Sequence, residues 1–223
     1  LAGKIAYIYY RFDVSDEKFI GSVKDNGEYV KDRDGFIDII KNMIKSDSLT
    51  TNVSILNEYK NLIKTNNTIS NRNFINELTQ AVCKKFSLPL ELQYDTQNKQ
   101  YEIHFYRNTP HSYGYYKNNQ IHINENNLSN LKEVVKTIFH EVRHFYIDKY
   151  YKANDKGLKA YVYFSNKFYI NYPIIFDSFY KICDNADEKN VGCLIGSQQD
   201  AYEIQPNERD PRYIETQIAI ILP

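Results

Sequence analysis

His140, Glu141 and His144 stand in the run His140-Glu141-Val142-Arg143-His144, an H-E-x-x-H spacing. On an α-helix, residues four apart share a face one turn apart, so two imidazoles at this spacing can reach a single metal ion with the intervening glutamate beside it. Zinc takes two histidine nitrogens and a carboxylate and keeps a fourth position for water, and a carboxylate next to that water can take its proton. With 5 histidines and 13 glutamates in 223 residues, composition accounts for roughly 0.006 chance occurrences of the motif. The bland reading, two surface histidines on an amphipathic helix, does not explain the spacing. A closed structural zinc site would draw on several cysteines, and none lies near the motif.

The chemistry requires that these residues sit on a helix, and the surrounding pattern predicts one. Asn130 and Glu133 form a candidate capping box, followed by Leu131, Val134, Val135, Ile138, Val142, Phe145 and Tyr146, with Lys149 suited to an exposed end. At 100° per residue, Leu131, Ile138, Val142 and Phe145 make one stripe for the core. His140 and His144 fall on the opposite side, near Thr137 and Asp148.

Upstream, a strand is expected over 5–12, a polar turn region over 25–35, and helices over 36–44 and 53–63. The Thr- and Asn-rich stretch 64–70 is the expected boundary, dividing an N-terminal extension, 1–70, from a domain over 71–223. Within that domain come a helix over 73–86, an alternating hairpin of 88–94 and 101–106 around 95–100, and a short strand over 120–124. The motif helix follows, then helical segments over 158–182 and 207–221. In the strand before the motif, Ile121 and Ile123 should face the core and His122 and Asn124 the other way. If that strand edges a cleft, its backbone groups could pair with an extended peptide.

Composition narrows the function classes. At 26.4 kDa, with 42% hydrophobic and 25% charged residues, the chain reads as soluble and globular, long enough for a sizeable core. Its 28 basic and 28 acidic residues balance, so nothing resembles a basic nucleic-acid footprint or a polybasic membrane anchor. The Tyr-rich stretch 160–180 is interrupted by Ser165, Asn166, Lys167, Asn171 and Pro173, which argues against integral membrane association and for ordinary packing. Cys83, Cys183 and Cys193 are odd in number and lack C-x-x-C spacing, so neither a zinc ribbon nor a disulfide scaffold is expected. A Cys183–Cys193 bridge across the 184–192 loop stays open, and oligomeric state is not legible. The chain opens on Leu1 with no signal-peptide pattern, so an excised or processed piece of a longer protein is expected.

At the motif and the order of elements around it, over roughly residues 73–216, the chain resembles the zincin metallopeptidases. The metzincin branch would continue with glycine and a third histidine where Ile147 and Tyr150 stand, so the resemblance is to the gluzincin branch, whose third ligand is a later carboxylate. The segment from Tyr202 to Glu215, containing Gln205-Pro206-Asn207-Glu208-Arg209-Asp210-Pro211-Arg212, is similar to the Q-P-x-E-x-D-A-R stretch that follows H-E-x-R-H in compact bacterial and phage peptidases. The resemblance places the third ligand at Glu208, with Asp210 or Arg212 supporting a ligand and Glu203, Asp210 and Glu215 as the other ligand candidates. Pro211 departs from the small residue usual there and bears on the helix register.

The expected reading is an α+β fold of zincin type, a small mixed sheet with an active-site helix and a C-terminal helical subdomain. It would bind Zn2+ through His140, His144 and Glu208 and hydrolyse a polypeptide with Glu141 as general base. Tyr202, Tyr213, Arg212 and His122 are the candidates for stabilising an oxyanion. The resemblance further implies a secreted bacterial toxin or a delivered effector domain, with an anti-repressor or housekeeping peptidase of the same fold as the alternative. The rival class is a non-catalytic zincin-like module that holds a polypeptide, and tolerance of losing Glu141 would discriminate the two.

Overall fold

The computed structural model describes residues 26–49, 52–108, 112–151 and 206–223, of which 26–31, 151 and 206–209 are described as backbone only. The expected strand over 5–12, the Tyr-rich helical stretch, Cys183, Cys193, Tyr202 and Glu203 lie outside the described residues. The chain divides into two compact units, Leu1–Asp32 with Tyr151–Asp210 and Arg33–Tyr150 with Pro211–Pro223. The second unit, which carries the motif, is an α+β assembly of helices and two small sheets.

Helix α1 spans Asn26–Ser46. The stretch read as a polar turn region is helical because its downstream stripe, Phe36, Ile37, Ile40, Met43 and Ile44, is buried and carries the preceding turns with it. Arg33 adds a second anchor, its guanidinium standing over the Tyr213 ring at 3.9 Å. Helix α2 (Ile55–Thr65) and helix α3 (Thr68–Lys85) meet at two asparagines with different tasks. Asn66 closes α2 in the left-handed conformation at φ 47°, and Asn67 caps α3 by accepting from the Ile69 and Ser70 amides.

Five short strands follow: β1 (Gln93–Asp95), β2 (Gln100–Glu102), β3 (His104–Tyr106), β4 (Gly114–Lys117) and β5 (Gln120–Asn124). The hairpin around 95–100 forms as β1 against β2, but its expected second strand is divided at Ile103. Ile103 turns its fully buried side chain inward while its amide donates to Asn76 Oδ1 of α3 at 3.0 Å, and β3 then joins the other sheet. That sheet has the order β3-β5-β4, with β3 parallel and β4 antiparallel to β5. Strand β5 is therefore central and hydrogen-bonded on both sides, so its backbone is not offered to a peptide. Arg72 of α3 ties the two sheets together by pairing with Glu102 and Glu125 and standing over the Phe105 ring at 3.9 Å.

Helix α4 (Leu131–Tyr151) lies on the core face of the three-stranded sheet, and helix α5 spans Pro206–Ala219. Ile121 and Ile123 meet Val134, Val135, Ile138, Phe139, Val142 and Phe145 in one core that also takes in Phe36, Phe86, Ile214 and Ile218. Phe36 stacks on Phe86 at 4.2 Å and meets the edge of Tyr146, so the helices on both sides of the 64–70 stretch share this core. At the start of α4, Asn130 donates its side-chain amide to Tyr113 Oη at 2.9 Å and Glu133 accepts from Lys136 at 2.7 Å. No helix among the described residues is long and apolar enough to cross a membrane.

Candidate active site

Helix α4 brings His140 and His144 together: their Nε2 atoms stand 3.1 Å apart with ring centroids 4.8 Å apart. His140 lies on the side of α4 opposite the core stripe, yet that side is covered. It is 9% exposed because α5 packs against this face of α4, with Lys136 Nζ 3.5 Å from Glu215 Oε1 and Lys132 Nζ bonded to the carbonyl oxygens of Leu222 and Pro223. Glu215 Oε2 lies 3.4 Å from His140 Nδ1. Burial alone would raise the Glu215 carboxyl, but its bond to His140 and the charges of His140, Lys136 and Arg212 outweigh that and bring it below the usual range.

Glu141 faces the sheet. Its Oε2 accepts from the backbone N–H of Tyr116 in β4 at 2.8 Å, and the residue is 8% exposed. Tyr116 is doubly held to α4, its ring stacked on Phe145 at 4.8 Å and its hydroxyl donating to Asp148 Oδ2 at 3.0 Å. Burial and then the Asp148 carboxylate push the Tyr116 phenol up to about 12, so it remains a donor throughout the neutral range. Gly114 allows the approach. A Cβ there would stand 2.6 Å from the His122 carbonyl oxygen and 3.1 Å from Thr137 Cγ2.

Arg143, central in the motif, is fully buried with its guanidinium 4.9 Å from the Phe36 ring and 5.0 Å from the Tyr146 ring. In α5, Asp210 is buried, Tyr213 lies under Arg33, and Arg212 contributes its charge to Glu215. The backbone of Glu208 belongs to α5, which runs through Pro211, while its side chain lies outside the described residues. Glu215 meets His140 through Nδ1 rather than through the nitrogen that faces His144. Among the described residues, no group of three or more His, Cys, Asp or Glu side chains is arranged to hold a metal ion.

His122 does not join this site. Gly114 and Tyr116 face α4, whereas Tyr115 and its cross-strand partner His122 lie on the opposite face of the sheet, stacked at 4.3 Å. His104 stands beside them, 4.7 Å from His122, and both Nε2 atoms are buried with no hydrogen-bond partner among the described residues. Cys83 is a buried thiol that desolvation pushes up to about 12, which excludes a reactive nucleophile there.

Tyr116 and Gly114 were missed by sequence reasoning. The signal for them was Asn118-Asn119, both at positive φ (49° and 62°), the two-residue turn that pairs β4 with β5. Comparison with protein-family models, with curated proteins and with solved structures finds no match to this chain.

Proposed function

We propose that this chain is a zinc-dependent peptidase of the zincin type, with His140 and His144 as metal ligands and Glu141 as general base. The observation that carries this reading is the 3.1 Å separation of the two Nε2 atoms. Two nitrogens at about 2.0–2.1 Å from one zinc ion, at an angle of about 100°, would stand about that far apart. The donor set fits in a second respect. With Nδ1 directed at Glu215, the His140 proton is held on that nitrogen and Nε2 keeps its lone pair.

Zinc, when bound, would acidify a water and polarise the scissile carbonyl. The chain's own residues do the rest. Glu141 takes the proton from the attacking water and passes it to the departing amine. The Tyr116 amide holds one carboxylate oxygen, leaving the other for that transfer. Glu208 is the proposed third ligand, on the likeness of the Tyr202 to Glu215 segment to the gluzincin stretch. A polypeptide substrate, and a bacterial toxin or effector as the setting, rest on the resemblance of the His140 to His144 run and the Tyr202 to Glu215 segment.

Zinc content by plasma emission, paired with hydrolysis of a fluorescently labelled unfolded protein, tests the reading. The wild-type chain should carry about one zinc, and His140→Ala and His144→Ala should lose metal and hydrolysis together. A chain that neither carries zinc nor gains it on titration overturns the proposal.

A further inference from the structure

We propose that strand β4 is the positioning element for the catalytic base, with the backbone N–H of Tyr116 as the group that holds Glu141, a claim that rests on the peptidase reading of the site. Glutamate on an exposed helix samples many rotamers, and a base that must meet a water at hydrogen-bond distance gains from being fixed. Here the Glu141 Oε2 accepts from Tyr116 N at 2.8 Å. Such a donor cannot be displaced by rotating a side chain. It belongs to a strand whose place is set at both ends.

At one end, Gly114 lets β4 approach until Thr137 Cγ2 and the His122 carbonyl fill the space a methyl group would need. At the other, the Tyr116 ring rests on Phe145 and its hydroxyl bonds Asp148, one and two turns beyond Glu141 on the same helix. Strand β4 is thus fastened to α4 before, at and after the base. In the register with β5, Tyr115 and Lys117 point their backbone groups toward β5, and the amide of Tyr116 points outward, where Glu141 receives it. The outward donor at the middle of β4 therefore serves the enzyme's own carboxylate and is not offered to a substrate strand.

The direct test replaces Tyr116 by its α-hydroxy acid analogue, which exchanges the N–H for an ester oxygen and keeps the side chain. We expect zinc content and KM to stay within about twofold and kcat to fall about tenfold or more, since only the orientation of the base is lost. In a Glu141→Gln background the same exchange should change kcat less than twofold, because the carboxylate it positions is gone. An equal loss in both backgrounds, or no loss in the wild type, overturns the inference. Hydrogen exchange at the Tyr116 amide gives a readout that needs no activity. Its protection should fall about tenfold or more in Glu141→Ala and less in Glu141→Gln, which keeps an acceptor oxygen. Unchanged protection in both variants overturns the inference whatever the turnover. Lost protection in a chain that never hydrolyses peptide bonds overturns the peptidase reading instead and leaves the Tyr116–Glu141 contact standing.

Discussion

Glu215 stands behind His140, its Oε2 3.4 Å from Nδ1, while the ring's other nitrogen faces His144 at 3.1 Å. A carboxylate at that place would fix the tautomer and ring plane of a metal-binding histidine, and it joins α5 to α4 beside the motif. Lys136, shared between Glu133 and Glu215, anchors the carboxylate in turn.

Removing Glu215 should therefore weaken zinc binding without abolishing it. Glu215→Ala is expected to lower zinc affinity about 10- to 100-fold, and Glu215→Gln less, because its amide oxygen still accepts from Nδ1–H. Competition with a chromophoric chelator measures both. An affinity loss as complete as that of His140→Ala would make Glu215 a direct ligand.

The third ligand is separable by the same assay. Glu208→Ala should cost more affinity than Glu215→Ala or Asp210→Ala, since loss of a direct donor exceeds the effect of its support. If Asp210→Ala removes zinc while Glu208→Ala leaves it, the ligand lies two residues later in α5.

Gly35→Ala should stabilise the protein. Gly35 lies inside α1 with ordinary negative φ, and a Cβ there meets nothing within 4 Å. Alanine in a helix interior is favoured over glycine by about 0.5–1 kcal/mol. A higher midpoint in urea denaturation at unchanged slope is the expected result.

Acid should destabilise the chain through the histidines on the outer sheet face. Burial, then the neighbouring His104 and Lys117 charges, push His122 down to about 4, and burial also lowers His104 against the opposing charge of Glu91. The unfolded chain, with histidine near 6.5, binds more protons between about pH 6.5 and 4, so stability is full above that window and falls as pH drops through it. His122→Phe, which keeps the stack on Tyr115 but cannot titrate, should flatten the dependence of the denaturation midpoint on pH between 7 and 4.

The motif helix and β5 were legible because periodic apolar residues end up in one core: Leu131, Ile138, Val142 and Phe145 are buried as their spacing implies, and so are Ile121 and Ile123. What escaped was set by tertiary contact. The polar first turns of α1 carry no local helix signal strong enough to overrule Asp32, Asp34 and Gly35, and they fold on the strength of the buried stripe that follows. The bond from Asn130 to Tyr113 Oη joins residues seventeen apart in the chain, a pairing that no local spacing announces. Within the site, the spacing of His140, Glu141 and His144 could be read directly. The backbone donor to Glu141 has no side-chain identity to read, and Glu215 becomes a partner of His140 only once α5 packs on α4.

The decisive quantity is the rate at which zinc-loaded Glu141→Gln hydrolyses an unfolded protein, compared with the wild type at equal metal content. The amide is nearly the same shape as the carboxylate but cannot take a proton. We predict retained zinc, retained fold and hydrolysis reduced about 100- to 10,000-fold. Turnover equal to the wild type, with zinc in place, would contradict the assignment of Glu141 as the base.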